Sequence, residues 1–305
     1  MFLPSNLIVL YMLTFKIPTP KEFSFDRCFE FLLRSPKELL HQCADNKVIK
    51  LVRINGKDIL FEMFWAGDQS LQVDILNGSI TKAEKTELQL FIEEWFDLIT
   101  DLKPFYTLAR KDSLLKDLVQ KFHGYRIIGQ PDLFESLVWA VLGQQINLQF
   151  AYTLKQRFVE TFGEKITFKN QPYYLFPQPE VVSHLTDEHL LPLQFSRQKS
   201  KYTALIAQAF VNGEISKQKL AGLPLAEAKE MLMKIKGVGN WTANYALMKT
   251  FRYPDAFPLE DAGVHNAIKN LKKLKAKPTL DQVRRQFKKY KGWEAYATLY
   301  LWKSL

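Results

Sequence analysis

Polar and apolar residues alternate in two neighbouring segments of the first hundred residues, Val48–Ile54 and Asp58–Trp65. Alternation at a period of two is typical of strands that bury one face. Asn55-Gly56 lies between them, and both residues tolerate the positive φ angles of a tight hairpin turn. The pattern therefore predicts an antiparallel β-hairpin, and the apolar runs at 8–15 and 71–76 predict two further strands.

Two helices are predicted to cover these strands. One follows Ser24, a residue type that commonly caps helices, and carries Phe25, Phe29 and Leu32 at helical spacing. The other covers residues 81 to about 98 and has its large apolar residues on one side. Strands and helices together predict an α+β unit over residues 1–104.

After Pro104 the strand pattern mostly disappears and helical periodicity replaces it. Residues 133–162 have the period of a helix that is broken once, at Gly143-Gln144-Gln145, and Gly163 is expected to end the second part. Residues 167–180 contain three prolines and are predicted to form a loop. Further helices are predicted at about 186–191, 198–211, 224–234, 241–251, 261–273, 279–289 and 293–303. The fold class is therefore α+β, with a mixed N-terminal unit followed by a mostly α-helical remainder.

The basic residues of the chain are concentrated in one segment. The formal charge of the 305 residues is +10 and the sequence pI is about 9.3. Ten lysines and arginines but only one acid lie between Lys269 and Lys291, a net charge of +9. Such a segment either contacts a polyanion or is a solvated helix face. The overall balance favours a nucleic acid over a membrane as partner.

The cysteines and the N-terminus limit the class of protein further. Cys28 and Cys43 are the only cysteines; they lack the spacing of metal ligands and are too few for a disulfide framework or an iron–sulfur cluster, so a reducing compartment is the simplest setting. The segment Met1–Phe15 is apolar but has no basic start and no small-residue cleavage site, and it is too short to span a bilayer. We therefore expect a cytoplasmic protein without a membrane partner, and Met12 is an alternative start.

A short glycine turn, Ile235-Lys-Gly237-Val238-Gly239, joins two predicted helices. Glycines there let backbone N–H groups approach a phosphate, and the N-terminus of the next helix adds a partial positive charge. A Gly-Val-Gly sequence by itself is usually a plain connector. Between two helices, with apolar residues at the intervening positions, it resembles the helix-hairpin-helix motif, which binds DNA backbones.

Three further segments make this resemblance specific. Gly237–Leu247 is followed by the acid pair Glu260-Asp261, Ala140–Gln145 contains Leu-Gly-Gln-Gln between two helices, and Leu299–Trp302 is an aromatic C-terminal segment. From about residue 131 to 302 the chain resembles AlkA-type 3-methyladenine DNA glycosylases of the HhH-GPD superfamily. The resemblance implies three domains with a cleft between the two helical ones. They are a TBP-like antiparallel domain at 1–104, a hairpin-bearing helical domain at 127–254, and a second helical domain at 105–126 plus 255–305.

The resemblance also implies a role for each matching residue. Asp261 matches the catalytic aspartate, and Glu260 a second acid beside the base pocket. Gln145 matches the residue that enters the duplex in place of the flipped base. The pocket aromatics are Trp241, Tyr245 and Trp302, and the DNA-binding hairpin comprises Gly237, Val238, Gly239, Asn240 and Thr242. No cofactor or catalytic metal is implied, although the hairpin backbone matches a monovalent-cation clamp.

Elementary chemistry agrees with these roles but leaves alternatives open. A base must leave the stack to be cleaved, and the breaking N-glycosidic bond places positive charge on the sugar, which a carboxylate stabilises. A cationic alkylated base is attracted by aromatic faces. The three aromatics are otherwise ordinary core residues, and Gln145 is otherwise a helix-capping glutamine.

The position of Trp241 restricts the reaction. Superfamily members that also cut the strand carry a lysine there, and an indole cannot form a Schiff base. The sequence therefore predicts a monofunctional, monomeric glycosylase that releases alkylated bases, such as 3-methyladenine or 7-methylguanine, from double-stranded DNA. Two rival functions are a glycosylase of this fold for oxidised or deaminated bases, and a non-catalytic helix-hairpin-helix DNA-binding protein.

Overall fold

A computed structural model describes residues 14–305, which begin with the first strand of a five-stranded antiparallel sheet. The predicted strand at 8–15 lies outside the described residues except for Thr14 and Phe15, and Met12 lies outside them altogether. The strands, in the spatial order β1-β5-β4-β3-β2, are β1 (Thr14–Pro18), β2 (Gln42–Ala44), β3 (Lys47–Ile54), β4 (Lys57–Trp65) and β5 (Ser70–Ile75).

The central hairpin of this sheet is the one that the alternating pattern predicts. β3 and β4 pair antiparallel up to Ile54 and Lys57, and the turn residues Asn55 and Gly56 have φ of 51° and 78°. Both values lie in the left-handed region that asparagine and glycine tolerate best. The mixed α and β character of the N-terminal unit is thereby confirmed.

Both predicted helices of this unit form, each with its own N-terminal cap. α1 (Phe25–Leu32) begins after Ser24, whose hydroxyl accepts a hydrogen bond from the backbone N–H of Arg27. α2 (Lys82–Trp95) begins with a capping box, in which Thr81 and Glu84 bind each other's backbone N–H. These caps satisfy donors that the first helical turn leaves free.

The rest of the chain is mostly helical, as predicted, with two short helices between residues 103 and 121 that the periodicity does not reveal. Helices of six or seven residues contain too few apolar positions for a repeat to be recognised. The helices are α3 (Lys103–Ala109), α4 (Lys116–Lys121), α5 (Leu133–Leu142), α6 (Leu148–Phe162), α7 (Pro179–Val182), α8 (Asp187–Leu190), α9 (Arg197–Val211), α10 (Lys217–Leu220), α11 (Leu225–Met233), α12 (Asn240–Ala246, continued as a π-helix over Leu247–Phe251), α13 (Ala262–Leu271), α14 (Leu280–Phe287) and α15 (Glu294–Trp302).

The loop predicted at 167–180 is wrong over its first half. β6 (Lys165–Phe168) and β7 (Gln171–Tyr174) form a two-stranded antiparallel hairpin with Lys169-Asn170 at its turn. Pro172 lies within β7, opposite Thr167. Because each strand of a two-stranded sheet has one free edge, a proline there removes no necessary ladder bond.

Gly163 does end α6, but not for the expected reason. Its φ is −79°, so the backbone is extended and not left-handed. A Cβ atom at this position would lie 2.5 Å from the Leu175 carbonyl oxygen and 2.6 Å from that of Val159. Glycine is required because the chain immediately after β7 passes directly over the last turn of the helix.

A buried ion cluster joins the N-terminal unit to the helices. Lys155 of α6 has its ammonium 2.9 Å from Glu38 and 3.0 Å from Glu135 of α5. Burial raises the pKa of Glu38, but the Lys155 and His41 charges and the hydrogen bonds from Leu40 and Lys155 together outweigh burial and lower that pKa to about 2. The main cluster of buried apolar side chains continues from the sheet into the helices. The domain boundaries at 104, 127 and 254 remain predictions.

Candidate active site

The glycine turn between α11 and α12 has the geometry of a hairpin whose backbone is accessible. Gly237 has φ of +102°, and a Cβ atom there would lie 2.3 Å from the ring of Tyr202. Gly239 precedes α12 with nothing within 4 Å of a built Cβ position. The first glycine is therefore needed by the fold, whereas the second leaves open space beside the backbone.

Two residues of this hairpin that are predicted to contact DNA have buried side chains. The Val238 side chain is buried in the core, and Thr242 is only 2% exposed. The Thr242 hydroxyl accepts a hydrogen bond of 3.1 Å from Gln144. The neighbouring turn therefore already uses the Thr242 hydroxyl as an acceptor, and the DNA contact of Thr242 stays a prediction.

Asp261 is the N-cap of α13, and two tryptophans hold its carboxylate. Oδ1 accepts hydrogen bonds from the backbone N–H of Val264 at 2.9 Å and from Nε1 of Trp302 at 2.7 Å. Oδ2 accepts from Nε1 of Trp241 at 3.0 Å. These donors are neutral, so they orient the carboxylate without cancelling its charge. Trp241 and Trp302 thus have a function beyond the predicted one of pocket wall.

The predicted pocket aromatics are adjacent in space. The Trp241 and Tyr245 rings are stacked with centroids 5.3 Å apart, and the Trp302 ring lies 6.3 Å from that of Tyr245. Trp139 donates its indole N–H to the Tyr245 hydroxyl at 3.0 Å. Burial raises the pKa of Tyr245 to about 12, so its hydroxyl stays protonated at neutral pH.

Glu260 lies at the exposed edge of the same site. Both of its carboxylate oxygens accept hydrogen bonds from the Asn240 amide, at 2.9 and 3.0 Å. Its hydrogen-bond partner is therefore the start of α12, and not the aromatic rings. Asn240 in turn accepts from Asn244, whose own amide oxygen binds the backbone N–H of Phe257. This chain of amides connects α12 to the segment that carries Asp261.

Gln145 lies at the tip of the break between α5 and α6. Its φ is +58° and its side chain is exposed. The capping alternative does not apply, because Asn147 caps α6 by accepting from the N–H of Phe150. The exposed Gln145 side chain is therefore free of the capping role, and its entry into a duplex stays a prediction.

Lys199 of α9, a buried residue outside the predicted set of site residues, is hydrogen-bonded to this turn. Its ammonium donates to the carbonyl oxygens of Val141 at 2.9 Å and Gln144 at 2.7 Å. Burial lowers the pKa of Lys199 to about 8. Gln144 binds Thr242 and, at 3.4 Å, the carbonyl oxygen of Gly237. The turn that carries Gln145 is therefore attached to the hairpin.

Gly263 is a second site residue that sequence reasoning missed. A Cβ atom at Gly263 would lie 2.9 Å from Oδ1 of Asp261 and 3.0 Å from Cδ1 of Trp302. No pattern in the sequence reveals this requirement, since the contact involves a side chain 39 positions away. By contrast, Asn244 was detectable in principle, because a polar residue on the buried side of a helix needs a partner.

One cleft of about 1740 Å³ brings these features together. It is lined by the hairpin, by the Gln145 turn and by the start of α13, and all the singled-out residues face it: Gln145, Gly237, Val238, Gly239, Asn240, Trp241, Thr242, Tyr245, Glu260, Asp261 and Trp302. Within residues 14–305, no helix is long and apolar enough to cross a bilayer. In the same part of the chain, no group of three or more acidic, histidine or cysteine side chains is placed to hold a metal ion.

Comparison with known protein families identifies the family to which this chain belongs. Residues 138–292 match the model of the HhH-GPD superfamily base excision DNA repair protein, and residues 17–137 that of the 8-oxoguanine DNA glycosylase N-terminal domain. The chain belongs to the HhH-GPD superfamily of base excision DNA repair proteins. The family, the α+β fold and the DNA glycosylase activity predicted from the sequence are therefore confirmed.

Individual HhH-GPD relatives agree over most of the chain. It is 40% identical to a DNA-3-methyladenine glycosylase of Bacillus subtilis over 291 residues, 95% of this chain and 96% of the relative. The solved 3-methyladenine DNA glycosylase of Archaeoglobus fulgidus shares the fold, with 21% identity, a TM-score of 0.83 and coverage of 95% and 97%. The Schizosaccharomyces pombe enzyme Mag1, solved with abasic DNA, is 27% identical with a TM-score of 0.55, covering 64% of this chain and 93% of its own.

Proposed function

We propose that this glycosylase flips an alkylated base, of the 3-methyladenine or 7-methylguanine type, out of double-stranded DNA and hydrolyses its N-glycosidic bond. The observation that carries the proposal is the Asp261 carboxylate held by the two indoles Trp241 and Trp302. The same indoles that orient the charge also line the cleft, so the reacting sugar and the base ring are expected to bind side by side.

Binding begins at the hairpin. The exposed backbone at Gly239 is assigned to a phosphate, and the Gln145 side chain to the gap that the flipped base leaves. Among residues 14–305 the Gly237 carbonyl oxygen accepts only the long bond from Gln144, and we assign this oxygen to a structural monovalent cation. The mostly exposed basic segment Lys269–Lys291 follows the catalytic turn and is assigned to flanking phosphates.

Cleavage of the N-glycosidic bond then depends on the negative charge of Asp261. As the bond from C1′ to the base breaks, positive charge develops on the sugar, and the fixed Asp261 carboxylate stabilises it. An alkylated base is already cationic and leaves as a neutral molecule without a proton from the enzyme. Water adds to C1′ and gives up its proton, which leaves an abasic site.

The reaction is proposed to stop there, because an indole occupies the position of the strand-cutting lysine. Three lysines line the cleft, Lys236, Lys303 and Lys249, and burial lowers the pKa of Lys249 to about 7. Its ammonium donates to the carbonyl oxygen of Ile128 and is assigned a structural role. Borohydride trapping on abasic DNA tests this assignment, and a covalent protein–DNA adduct would overturn it.

The test of the function is chromatography of free bases released from methylated duplex DNA. Release of 3-methyladenine or 7-methylguanine is expected, without strand cleavage before alkali treatment. Binding without release of any base would establish the non-catalytic rival. Release only from duplexes carrying 8-oxoguanine or a deaminated base would establish the other rival. These duplexes are included because residues 17–137 match the 8-oxoguanine DNA glycosylase N-terminal domain.

The remaining expectations follow from this substrate. The cleft is built entirely within one chain, which supports action as a monomer. Genomic DNA as substrate supports a cytoplasmic site of action at the nucleoid of a bacterial-type cell. Size-exclusion chromatography with and without duplex DNA tests the monomer.

A further inference from the structure

A wall of aromatic side chains leads from Asp261 to the N-terminal unit. Beyond Tyr245 it continues through Trp139, whose indole binds the Tyr245 hydroxyl, to Tyr152, whose ring lies 4.8 Å from that of Trp139. Arg34, two residues after α1, donates through Nε to the Tyr152 hydroxyl. The far end of the wall is thus held by a residue outside the helical domains.

The Arg34 guanidinium keeps most of its donors for a ligand. It lies 3.8 Å over the Phe31 ring and 5.3 Å over the Tyr152 ring, and its side chain is exposed. The neighbouring acids pair with other cations: Glu30 with Arg27 and Lys303, and Glu38 with Lys155. Within residues 14–305, the two Nη groups of Arg34 have no salt-bridge partner.

Arg34 lies where the large cleft meets a second cavity. This cavity of about 280 Å³ lies between the sheet and the helices, and Arg34, Tyr245 and Lys249 line both spaces. Tyr245 also stacks on Trp241, which holds Asp261. A base that lies along Tyr245 therefore directs its edge away from the sugar towards Arg34.

We propose that Arg34 is a specificity-determining residue, whose Nη donors bind the carbonyl oxygen of a flipped guanine-type base. The inference rests on the proposed function and deepens it, because it assigns base selection to the N-terminal unit. A guanidinium pairs with the O6 acceptor of a guanine edge, whereas the amino group of an adenine-type base would bring donor against donor.

The charge of Arg34 does not by itself separate the two alkylated bases. Both 3-methyladenine and 7-methylguanine are cationic in DNA, so the guanidinium charge disfavours them equally. The ratio of their release rates therefore isolates the hydrogen bond to O6. A neutral purine with O6, such as hypoxanthine, gains the hydrogen bond without the repulsion.

The test compares single-turnover release of both bases from methylated DNA by the wild type and by Arg34→Met. The expected result is a fall of about tenfold in 7-methylguanine release relative to 3-methyladenine release, the usual loss for a hydrogen bond to a charged group. Arg34→Lys keeps the charge without the fork and is expected to fall between the two. Arg27→Met, in α1, is the control and is expected to leave the ratio unchanged.

A binding measurement decides the matter independently of turnover. Arg34→Met is expected to weaken binding of a duplex with non-cleavable 2′-fluoro-deoxyinosine more than one with 2′-fluoro-deoxyadenosine. Equal binding losses, or a wild-type release ratio in the variant, would overturn the proposal. Failure of the wild type to release either methylated base would instead overturn the proposed function, and the binding comparison would still test Arg34.

Discussion

Asp261 and Glu38 are two partly buried carboxylates near the same aromatic wall, and the structure holds them differently. Asp261 accepts from two indoles and a backbone N–H, all neutral donors. Glu38 lies against the Lys155 ammonium, which itself lies 5.4 Å over the Trp139 ring. Neutral donors fix the direction of a carboxylate and leave its charge available, whereas a buried lysine cancels it. The first arrangement suits a group that stabilises a developing cation, and the second suits a junction between domains.

We expect the largest effect from a substitution that removes the charge of Asp261. Asp261→Asn keeps the side-chain oxygen that caps α13, so the fold is expected to survive. Base release in single-turnover assays should fall by at least about 10³-fold, because the developing positive charge loses its partner. Affinity for a duplex with a tetrahydrofuran abasic analogue should change little. Asp255→Asn, an exposed acid in the preceding turn, is the control, and near-normal release by Asp261→Asn would contradict the mechanism.

The second prediction concerns removal of the Lys155 ammonium that pairs with Glu38. Lys155→Met leaves Glu38 and Glu135 without their shared partner, and the free energy of unfolding should fall by about 3–5 kcal/mol. Urea unfolding followed by tryptophan fluorescence measures this loss. Lys201→Met, an exposed lysine of α9, should change it little. A similarly small loss for Lys155→Met would mean that the ion cluster does not hold the domains together.

The third prediction concerns acid. The pKa of Glu38 is about 2 in the folded protein and near 4.5 otherwise, so its stabilising contribution is complete above pH 4.5. The contribution should be lost as the pH falls from about 4.5 to about 2, by about 1.4 kcal/mol for each pH unit. Unfolding measured from pH 6 to pH 3 should therefore show a shallower slope for Glu38→Gln. The matched variant Glu87→Gln, in α2, should keep the wild-type slope.

We expect the smallest effect from a substitution that tests whether neutral donors orient Asp261. Trp302→Phe keeps an aromatic ring and removes only the N–H that binds Oδ1. We expect the single-turnover rate to fall about 10- to 100-fold, with little change in duplex affinity. Trp139→Phe removes an indole N–H that binds Tyr245 and not Asp261, so its rate should fall less. Equal losses for the two variants would show that packing matters and orientation does not.

Much of the local structure is readable from neighbouring residues. Asn55-Gly56 predicts the central hairpin because only a few residue types tolerate its backbone angles. For similar local reasons, Gly237 predicts a tight turn and Asp261 predicts the start of a helix. Pro172 misled the prediction, because a proline indicates the absence of a central strand but permits an edge strand.

The roles within the site were only partly predictable. The aromatic residues of the cleft were identified through the family resemblance, but their hydrogen bonds to Asp261 were not. Gln144, which attaches the Gln145 turn to the hairpin, is the same residue type as its neighbour, and only the structure shows that Gln144 is half-buried and hydrogen-bonded whereas Gln145 is exposed. Nothing in the sequence shows that Lys199 is buried beneath this turn, where it is only 8% exposed.

The sequence by itself determined the elements, the hairpin and the position of the acid, since these depend on backbone angles and caps within a few residues. Only the tertiary structure decided which groups act together. Trp302 reaches Asp261 across 41 positions, and Arg34 reaches Tyr152 across 118. Contacts at such separations depend on how helices and sheet pack around the common core, and no local pattern encodes that arrangement.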